Sequence, residues 1–276
     1  MSWHGQLTLD YRHDGHRTVA ADRHTGPLRI LKSLYPEGPA ICHSVLVPPP
    51  AGLASGDLLT IDAHVGPGAH ALITTPGATR FYRSSGEVAR QVANLRVDAG
   101  ARLEYLPLET LCYPDTLGEN HTELTLAPEA EAMGWDVLAL GLPASGAPFH
   151  AGRFTQHIAL RGAWLERGTI DASDSRLLQS PLGWAGNSVM ATLWFACGSP
   201  LQGARRASLL DAARECAGAH VLAPSAGATA PQSQVVVLRA LAPRVEPAMN
   251  LLIEVWTRWR DLAWGLTAPV PRVWRT

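Results

Sequence analysis

Over residues 59–65 apolar and polar side chains alternate one for one, with Leu59, Ile61, Ala63 and Val65 on one side and Thr60, Asp62 and His64 on the other. A period of two marks a strand with one face buried and the other wet. Similar texture runs through the first 195 residues. Residues 7–11 and 18–20 read as paired strands around Asp14-Gly15, a dipeptide suited to a two-residue turn with positive φ, which sets His13 and His16 facing each other. Three segments share a strand end, a tight turn, an alanine and a second strand: Val65-Gly-Pro-Gly-Ala-His-Ala-Leu-Ile, Val97-Asp-Ala-Gly-Ala-Arg-Leu-Glu-Tyr and Leu126-Ala-Pro-Glu-Ala-Glu-Ala-Met. Their starts lie 32 and 29 positions apart. Units of about 30 residues repeated in this way predict stacked β layers, as in a β-helix or a layered sandwich.

After Cys197 the period changes. Residues 204–218 are rich in Ala, Leu and Arg and end on a glycine, which predicts a helix. A short strand is expected over 234–240. From Pro247, Met249, Leu252, Ile253, Trp256 and Trp259 or Arg260 recur at helical spacing until Gly265, so a second helix carries an apolar, aromatic face. That face fits a core or a partner's groove. Beyond it, the tail Pro271-Arg-Val-Trp-Arg-Thr276 holds a tryptophan that suits a docked segment. The expected organisation is one unit spanning 1–276, mostly β over 1–195 and mixed α/β with two helices over 196–276.

Composition narrows the function classes. A net charge of -1 removes the usual electrostatic reason for binding nucleic acid, and no basic run suits an anionic membrane. No stretch approaches the ~20 apolar residues of a membrane span, and the start lacks a signal-peptide pattern, so a soluble, cytoplasmic protein is expected. Only 17% of residues are charged against 46% hydrophobic, with nine tryptophans, which hints at apolar surface covered by other proteins. Cys42, Cys112, Cys197 and Cys216 form no C-x-x-C and read as reduced, partly buried thiols.

No nucleophile elbow, Walker A loop, G-x-G-x-x-G, H-E-x-x-H or deaminase-type cysteine pair is present. Gly52-Leu-Ala-Ser-Gly-Asp57 places a serine among glycines, and this loop and the scattered histidines are the features that suggest a hydrolase or small-ligand binder on a diverged β scaffold. The paired histidines, His13 with His16 and His64 with His70, supply two ligands each, short of a structural metal site. Acids that interrupt apolar runs carry more weight, because a buried carboxylate must be paired, hydrated or used. Asp136 lies in Trp-Asp-Val-Leu-Ala-Leu and Glu166 in Trp-Leu-Glu-Arg, with Asp62 and Glu104 of the same kind. Arg80, Phe81, Tyr82 and Arg83 sit side by side after Pro76-Gly77 and have the composition of an interface anchor.

Four ordered words carry a family resemblance: Pro48-Pro-Pro-Ala-Gly-Leu-Ala-Ser-Gly-Asp57, Leu72-Ile-Thr-Thr-Pro-Gly-Ala-Thr-Arg-Phe-Tyr-Arg-Ser84, Leu103-Glu-Tyr-Leu-Pro-Leu-Glu-Thr110 and Pro271-Arg-Val-Trp274. With Gly26-Pro-Leu28 and Tyr35-Pro36, and with their order and spacing kept from about residue 3 to the end, they resemble the urease accessory protein UreD (UreH) family. The chain departs from the family words at Ala51, Tyr105, Leu108 and Leu142. The resemblance implies a mainly β, two-layer, β-helix-like fold with C-terminal α-helices and a non-enzymatic role. It implies partners, namely UreF-like and UreG-like (GTPase) accessory proteins and the urease apoprotein. It also implies an internal passage, lined partly by acids, that hands nickel to the urease centre without binding it permanently. Carried over by motif, the passage acids are Asp57, Asp136 and Glu166. Partner contacts are expected at Arg80, Phe81, Tyr82, Arg83, Trp256 and Trp274.

Overall fold

The computed structural model describes residues 2–47 and 52–275. Pro48 to Ala51, part of the first family word, and Thr276 therefore lie outside the described residues. The chain is mainly β and builds three layers: two sheets face to face, with helices on the outer side of one of them.

Sheet A runs β14 (Trp164–Asp171), β13 (Gly152–Leu160), β11 (Thr116–Leu126), β8 (Ala89–Val97), β5 (Leu58–Val65), β1 (His4–His13), β2 (Thr18–Thr25). Sheet B runs β16 (Ala226–Gln232), β17 (Val235–Ala242), β15 (Val189–Cys197), β12 (Glu131–Leu140), β9 (Arg102–Leu106), β6 (His70–Thr74), β4 (Ile41–Val47), β3 (Arg29–Leu34). Two short strands, β7 (Thr79–Phe81) and β10 (Thr110–Cys112), continue the lines of β6 and β9 after a break and pair with each other, while β10 also pairs with β12. The chain passes from sheet A to sheet B and back. β5, β8, β11 and β13 are parallel neighbours in one sheet, and β4, β6, β9 and β12 are parallel neighbours in the other. This is a stacked, solenoid-like β arrangement, as the repeat spacing predicts.

The repeat is visible atom by atom. Val65 pairs with Val97, and Val97 with Leu126, so the three repeat starts sit side by side. Their turns stack: Asp98 N donates to Val65 O at 2.9 Å and Ala127 N to Val97 O at 2.9 Å. Each turn is then closed locally by the alanine, Ala69 N to Gly66 O, Ala101 N to Asp98 O and Ala130 N to Ala127 O. These alanines are buried. The residue before each alanine is left-handed, Gly68 at φ 70°, Gly100 at 69° and Glu129 at 66°, and only the third lacks the glycine that this conformation favours.

Strand alternation sorts the side chains. Leu59, Ile61, Ala63 and Val65 face inward as expected, and join Leu7, Leu9, Leu95, Leu124, Phe154 and Leu138 in the core between the sheets. A second core lies between the outer face of sheet B and two helices, α2 (Gly203–Ala219) and α3 (Val245–Trp264). A short helix, α1 (Ser175–Gln179), precedes them. The buried stripe of α3 includes Met249, Leu252, Val255, Trp256, Trp259 and Arg260, and Gly265 ends it in the left-handed conformation. Helix α2 runs one residue past the expected Gly218 stop, and β16, an Ala/Gly/Pro-rich edge strand without alternation, was not expected.

The first hairpin differs from its sequence reading. His13 pairs with Thr18, so the loop holds four residues instead of two. Asp14 drives this: its Oδ1 accepts from His16 N and Arg17 N, each at 3.0 Å, and so prefers a wider side-chain-capped turn. His16 lies in the loop and does not face His13 across the ladder.

Candidate functional site

The inner faces of the two sheets are mainly apolar; besides the Tyr11–Ser44 hydrogen bond and buried threonines such as Thr122, they carry one extended line of polar side chains. On sheet A, Gln91 pairs in register with Asn120, Asn120 with Gln156 and Gln156 with Gly168. On sheet B, Asp136 pairs with Thr192, Thr192 with Arg239 and Arg239 with Gly227. Register partners share a face, so both lines run across the strands, and they meet in the middle of the core. Asn120 Nδ2 donates to Asp136 Oδ2 at 2.6 Å, Gln156 Nε2 donates to Asp136 Oδ1, and Gln91 Nε2 donates to Asn120 Oδ1 at 3.2 Å. Gln91, Asn120, Asp136, Gln156 and Thr192 are all buried.

Asp136 is the chemical centre of this row. Burial raises its pKa from 3.8 to about 6; the bonds from Gln156 and Asn120 offset part of that, and the charge of Glu166 adds to it. Its surroundings respond in turn. Burial, with the Asp136 charge as the second cause, pushes the Tyr105 hydroxyl and the Cys112 thiol up. The carboxylate therefore sits among neutral amide donors, with no cation against it among the described residues, an arrangement that leaves its charge available to an incoming ion.

Glu166 stands two residues before Gly168 and on the same inward face of β14. Arg239 holds it with both ends of a guanidinium fork, Nε to Oε1 at 2.8 Å and Nη2 to Oε2. Arg239 also lines a cavity of about 490 Å³ against β15, β16 and β17, together with Leu177, Trp184, Met190, Thr229 and Leu241. The row thus leads from the sealed core to a hollow at the edge of the fold.

Asp57 is not part of it. Oδ1 accepts from Trp3 N at 3.1 Å and Oδ2 from Ala54 N at 2.8 Å, so both oxygens secure the turn before β5. Asp136 and Glu166 are brought together; Asp57 is held apart by a structural task. Ser55 is similarly engaged, its Oγ accepting from Glu87 N at 3.0 Å and from Ser84 Oγ at 3.1 Å. Asp62 lies on the outer face of sheet A, where Asn94 donates to it at 2.8 Å. His64 is on that same face and His70 is on sheet B, so they do not face each other. Among the described residues, no group of three or more His, Cys, Asp or Glu is gathered as a metal site.

The expected partner residues divide. Arg80 and Arg83 are exposed and Tyr82 is half-buried, tilted on Tyr113 with centroids 4.7 Å apart. Phe81 is wholly buried, edge-on to Phe154 at 5.0 Å, and so faces no partner. Trp256 is a correction of the same kind: its ring is completely buried and its Nε1 donates to Glu104 Oε2 at 2.6 Å. Trp274 is half-buried, packs on Trp135 and Trp256 at 5.2 and 5.7 Å, and donates to Thr74 Oγ1 at 2.7 Å. The tail is docked on its own chain.

A second polar group lies on the opposite, outer face of sheet B. His70 Nε2 is 2.8 Å from Glu104 Oε1, and Arg260 of α3 reaches Glu37 through Nη1 at 2.9 Å and Nη2 at 3.2 Å. Its Nε lies 3.2 Å from Glu104 Oε2, an ion contact off the hydrogen-bond direction. His43 is 2.8 Å from Glu37. Burial alone would raise Glu104, but His70, Arg260 and the Trp256 N–H together hold it below the usual glutamate value; His43 and Arg260 do the same for Glu37. This cluster ties α3 to the sheet.

Of the side chains in this row the sequence reading singles out Asp136 and Glu166, and not Gln91, Asn120, Gln156 or Arg239. A polar residue at an inward position of an alternating strand was the available signal, as in Ala89-Arg-Gln-Val-Ala93.

A family model described as UreD urease accessory protein matches residues 4–275. The urease accessory protein UreD of Leptothrix cholodnii is 56% identical over the whole of both chains. Those of Paracidovorax citrulli and Verminephrobacter eiseniae are 58% and 60% identical over 99% of each chain.

Proposed function

The chain belongs to the UreD family of urease accessory proteins, with a role in urease maturation, and from that premise we propose that it is a non-enzymatic scaffold that conducts nickel to the urease active site. Its partners in this reading are UreF-like and UreG-like accessory proteins and the urease apoprotein, all in the cytoplasm. The observation that carries it is the row of amides and acids through a mainly apolar core, with Asp136 at its centre and Glu166 at its outer end.

The chemistry suits a cargo that must move on. A divalent cation is drawn to carboxylate oxygens, and amide side chains supply neutral oxygens that hold it weakly. Asp136 has only neutral hydrogen-bond partners, and Asn120 and Gln156 can turn their amide oxygens toward an ion. Two carboxylates spaced along a path supply stations without the full set of ligands that would trap the ion. The exposed Arg80 and Arg83, with Tyr82 between sheet and solvent, are the proposed contact for a partner.

The test is urease activation with this chain co-expressed alongside its partners. D136N and E166Q should each lower nickel-dependent activation roughly tenfold or more, the scale on which neutralising a group that serves a metal site acts. Both variants should still copurify with the accessory proteins and urease. Undiminished activation in both would remove the row from the mechanism, and a folded wild-type chain that captures neither partner would remove the scaffold.

A further inference from the structure

Arg239 is the one feature of the row that a cation conduit does not call for. A guanidinium sits where a cation would have to pass, bonded through Nε and Nη2 to both oxygens of Glu166 and lining the outer cavity at the same time. Its side chain is 49% exposed, against 20% for Glu166. The acid is thus shielded, and its cover is half-exposed with about 490 Å³ of adjacent space.

We propose that Arg239 is the gate of the row: a displaceable counter-ion that keeps Glu166 closed to monovalent cations and yields to a divalent one. The inference rests on the conduit reading and names its regulation. The physics is a competition for one carboxylate. At equal distance a divalent ion gains twice the Coulomb energy of the guanidinium, whereas Na⁺ or K⁺ gains no more than Arg239 already provides and lacks its two-point fork. The tether gives Arg239 a high local concentration, so a monovalent ion competes at a further disadvantage. Once displaced, the guanidinium swings toward solvent and Glu166 stands open to the cavity. When the ion moves inward to Asp136, Arg239 closes again behind it, and the charge of Glu166 is neutralised before a second cation arrives.

The experiment uses the full chain and Ni²⁺ alone as the probe, with affinity measured by titration calorimetry at pH 7 with and without 150 mM K⁺, about the physiological ionic strength. R239Q should bind Ni²⁺ roughly tenfold more tightly than wild type, as expected when a close competing charge is removed. The gain should vanish in R239Q/E166Q. Added K⁺ should weaken Ni²⁺ binding by R239Q more than by the wild-type chain. R239K, which keeps the charge and loses the fork, should fall between wild type and R239Q, and it serves as the readout should R239Q fold poorly. Affinity equal to wild type in both R239Q and R239K, or a gain that persists without Glu166, overturns the gate. The two readings fail separately. Intact urease activation by both D136N and E166Q ends the conduit whatever R239Q does with nickel, whereas crippled activation by E166Q with no tighter binding by R239Q ends only the gate.

Discussion

Sheet B carries buried acids on both faces, and the two faces treat them in opposite ways. On the outer face Glu104 and Glu37 are fixed by Arg260, His70 and His43, and their pKa values are held below the ordinary range. On the inner face Asp136 meets only amide donors, and burial lifts its pKa to about 6. The same residue class is a clasp where a cation belongs to the fold and a charge left open where none does. A carboxylate sealed against a wholly buried guanidinium, as Glu104 is against Arg260, has little left for cargo, whereas one held at a cost in folding energy retains its attraction for a passing ion.

The largest effect expected follows from breaking the clasp. R260M removes the only guanidinium against Glu104 and Glu37 among the described residues and leaves Glu104 with His70 and the Trp256 N–H, and Glu37 with His43, without the full cation that balanced both. A loss of about 3–5 kcal/mol in unfolding free energy is expected, measured by urea denaturation at pH 7. Adding E104Q should recover part of it, because one of the two buried negative charges is then gone. A loss below about 1 kcal/mol in R260M would mean that the outer cluster is no more rigid than a surface ion pair, and the contrast between the faces would collapse.

Next in size is the pH dependence, where the two faces have opposite signs. Asp136 has a folded value of about 6 above its reference 3.8, so the native state binds its proton more tightly between those limits. Its contribution to stability is therefore complete below about pH 4 and is lost as pH rises through 6, amounting to about 3 kcal/mol at neutrality. Glu104 and Glu37 work the other way: their folded values lie below 4.5, so the stability they supply is present above that value and is lost as pH falls through the folded values. The wild-type chain minus D136N, compared by urea denaturation at pH 4, 5, 6 and 7, isolates the inner face. That difference should fall steadily with rising pH. A flat difference would mean that Asp136 is hydrated in the native state and not sealed.

The repeat that made the architecture legible could also have located most of the inner row. Val97 and Leu126 are 29 apart and are register partners, and the same offset from Gln91 arrives at Asn120. Applied to inward positions, the repeat aligns the polar pair across neighbouring strands. The next step, Asn120 to Gln156, spans 36 residues because the chain between β12 and β13 makes an excursion through Pro143 to His150, and no repeat word marks it. Arg239 could not be placed at all, since its strand is antiparallel and outside the repeat. On the outer face, the helical spacing put Arg260 and Trp259 as alternatives on one stripe, yet both are buried, because an Arg on an apolar stripe is tolerated only when acids from distant strands meet it. That meeting depends on tertiary contacts from Glu37 and Glu104, more than 150 residues earlier in the chain. Trp256 and Phe81 looked like interface anchors for a related reason: composition alone does not distinguish an aromatic that packs inward from one that packs on a partner.

The smallest effect separates stability from function. Glu129 is exposed and left-handed at φ 66°, at the stacked-turn position where Gly68 and Gly100 stand in the two preceding units. An L side chain there costs about 1–2 kcal/mol, of which glycine recovers part while adding freedom to the unfolded chain. Glu129→Gly should therefore raise stability by about 0.5–1 kcal/mol in urea denaturation. The turn leads directly into β12, the strand that carries Glu131 outward and Asp136 inward, so the change tightens the support of both faces without touching either set of polar contacts. The pH dependence assigned to Asp136 and the nickel-dependent activation should then be unchanged in this variant. If activation instead rose or fell with the added stability, the effects of D136N and E166Q on activation would need to be read as consequences of folding, and the distinction between a face that holds and a face that conducts would lose its functional meaning.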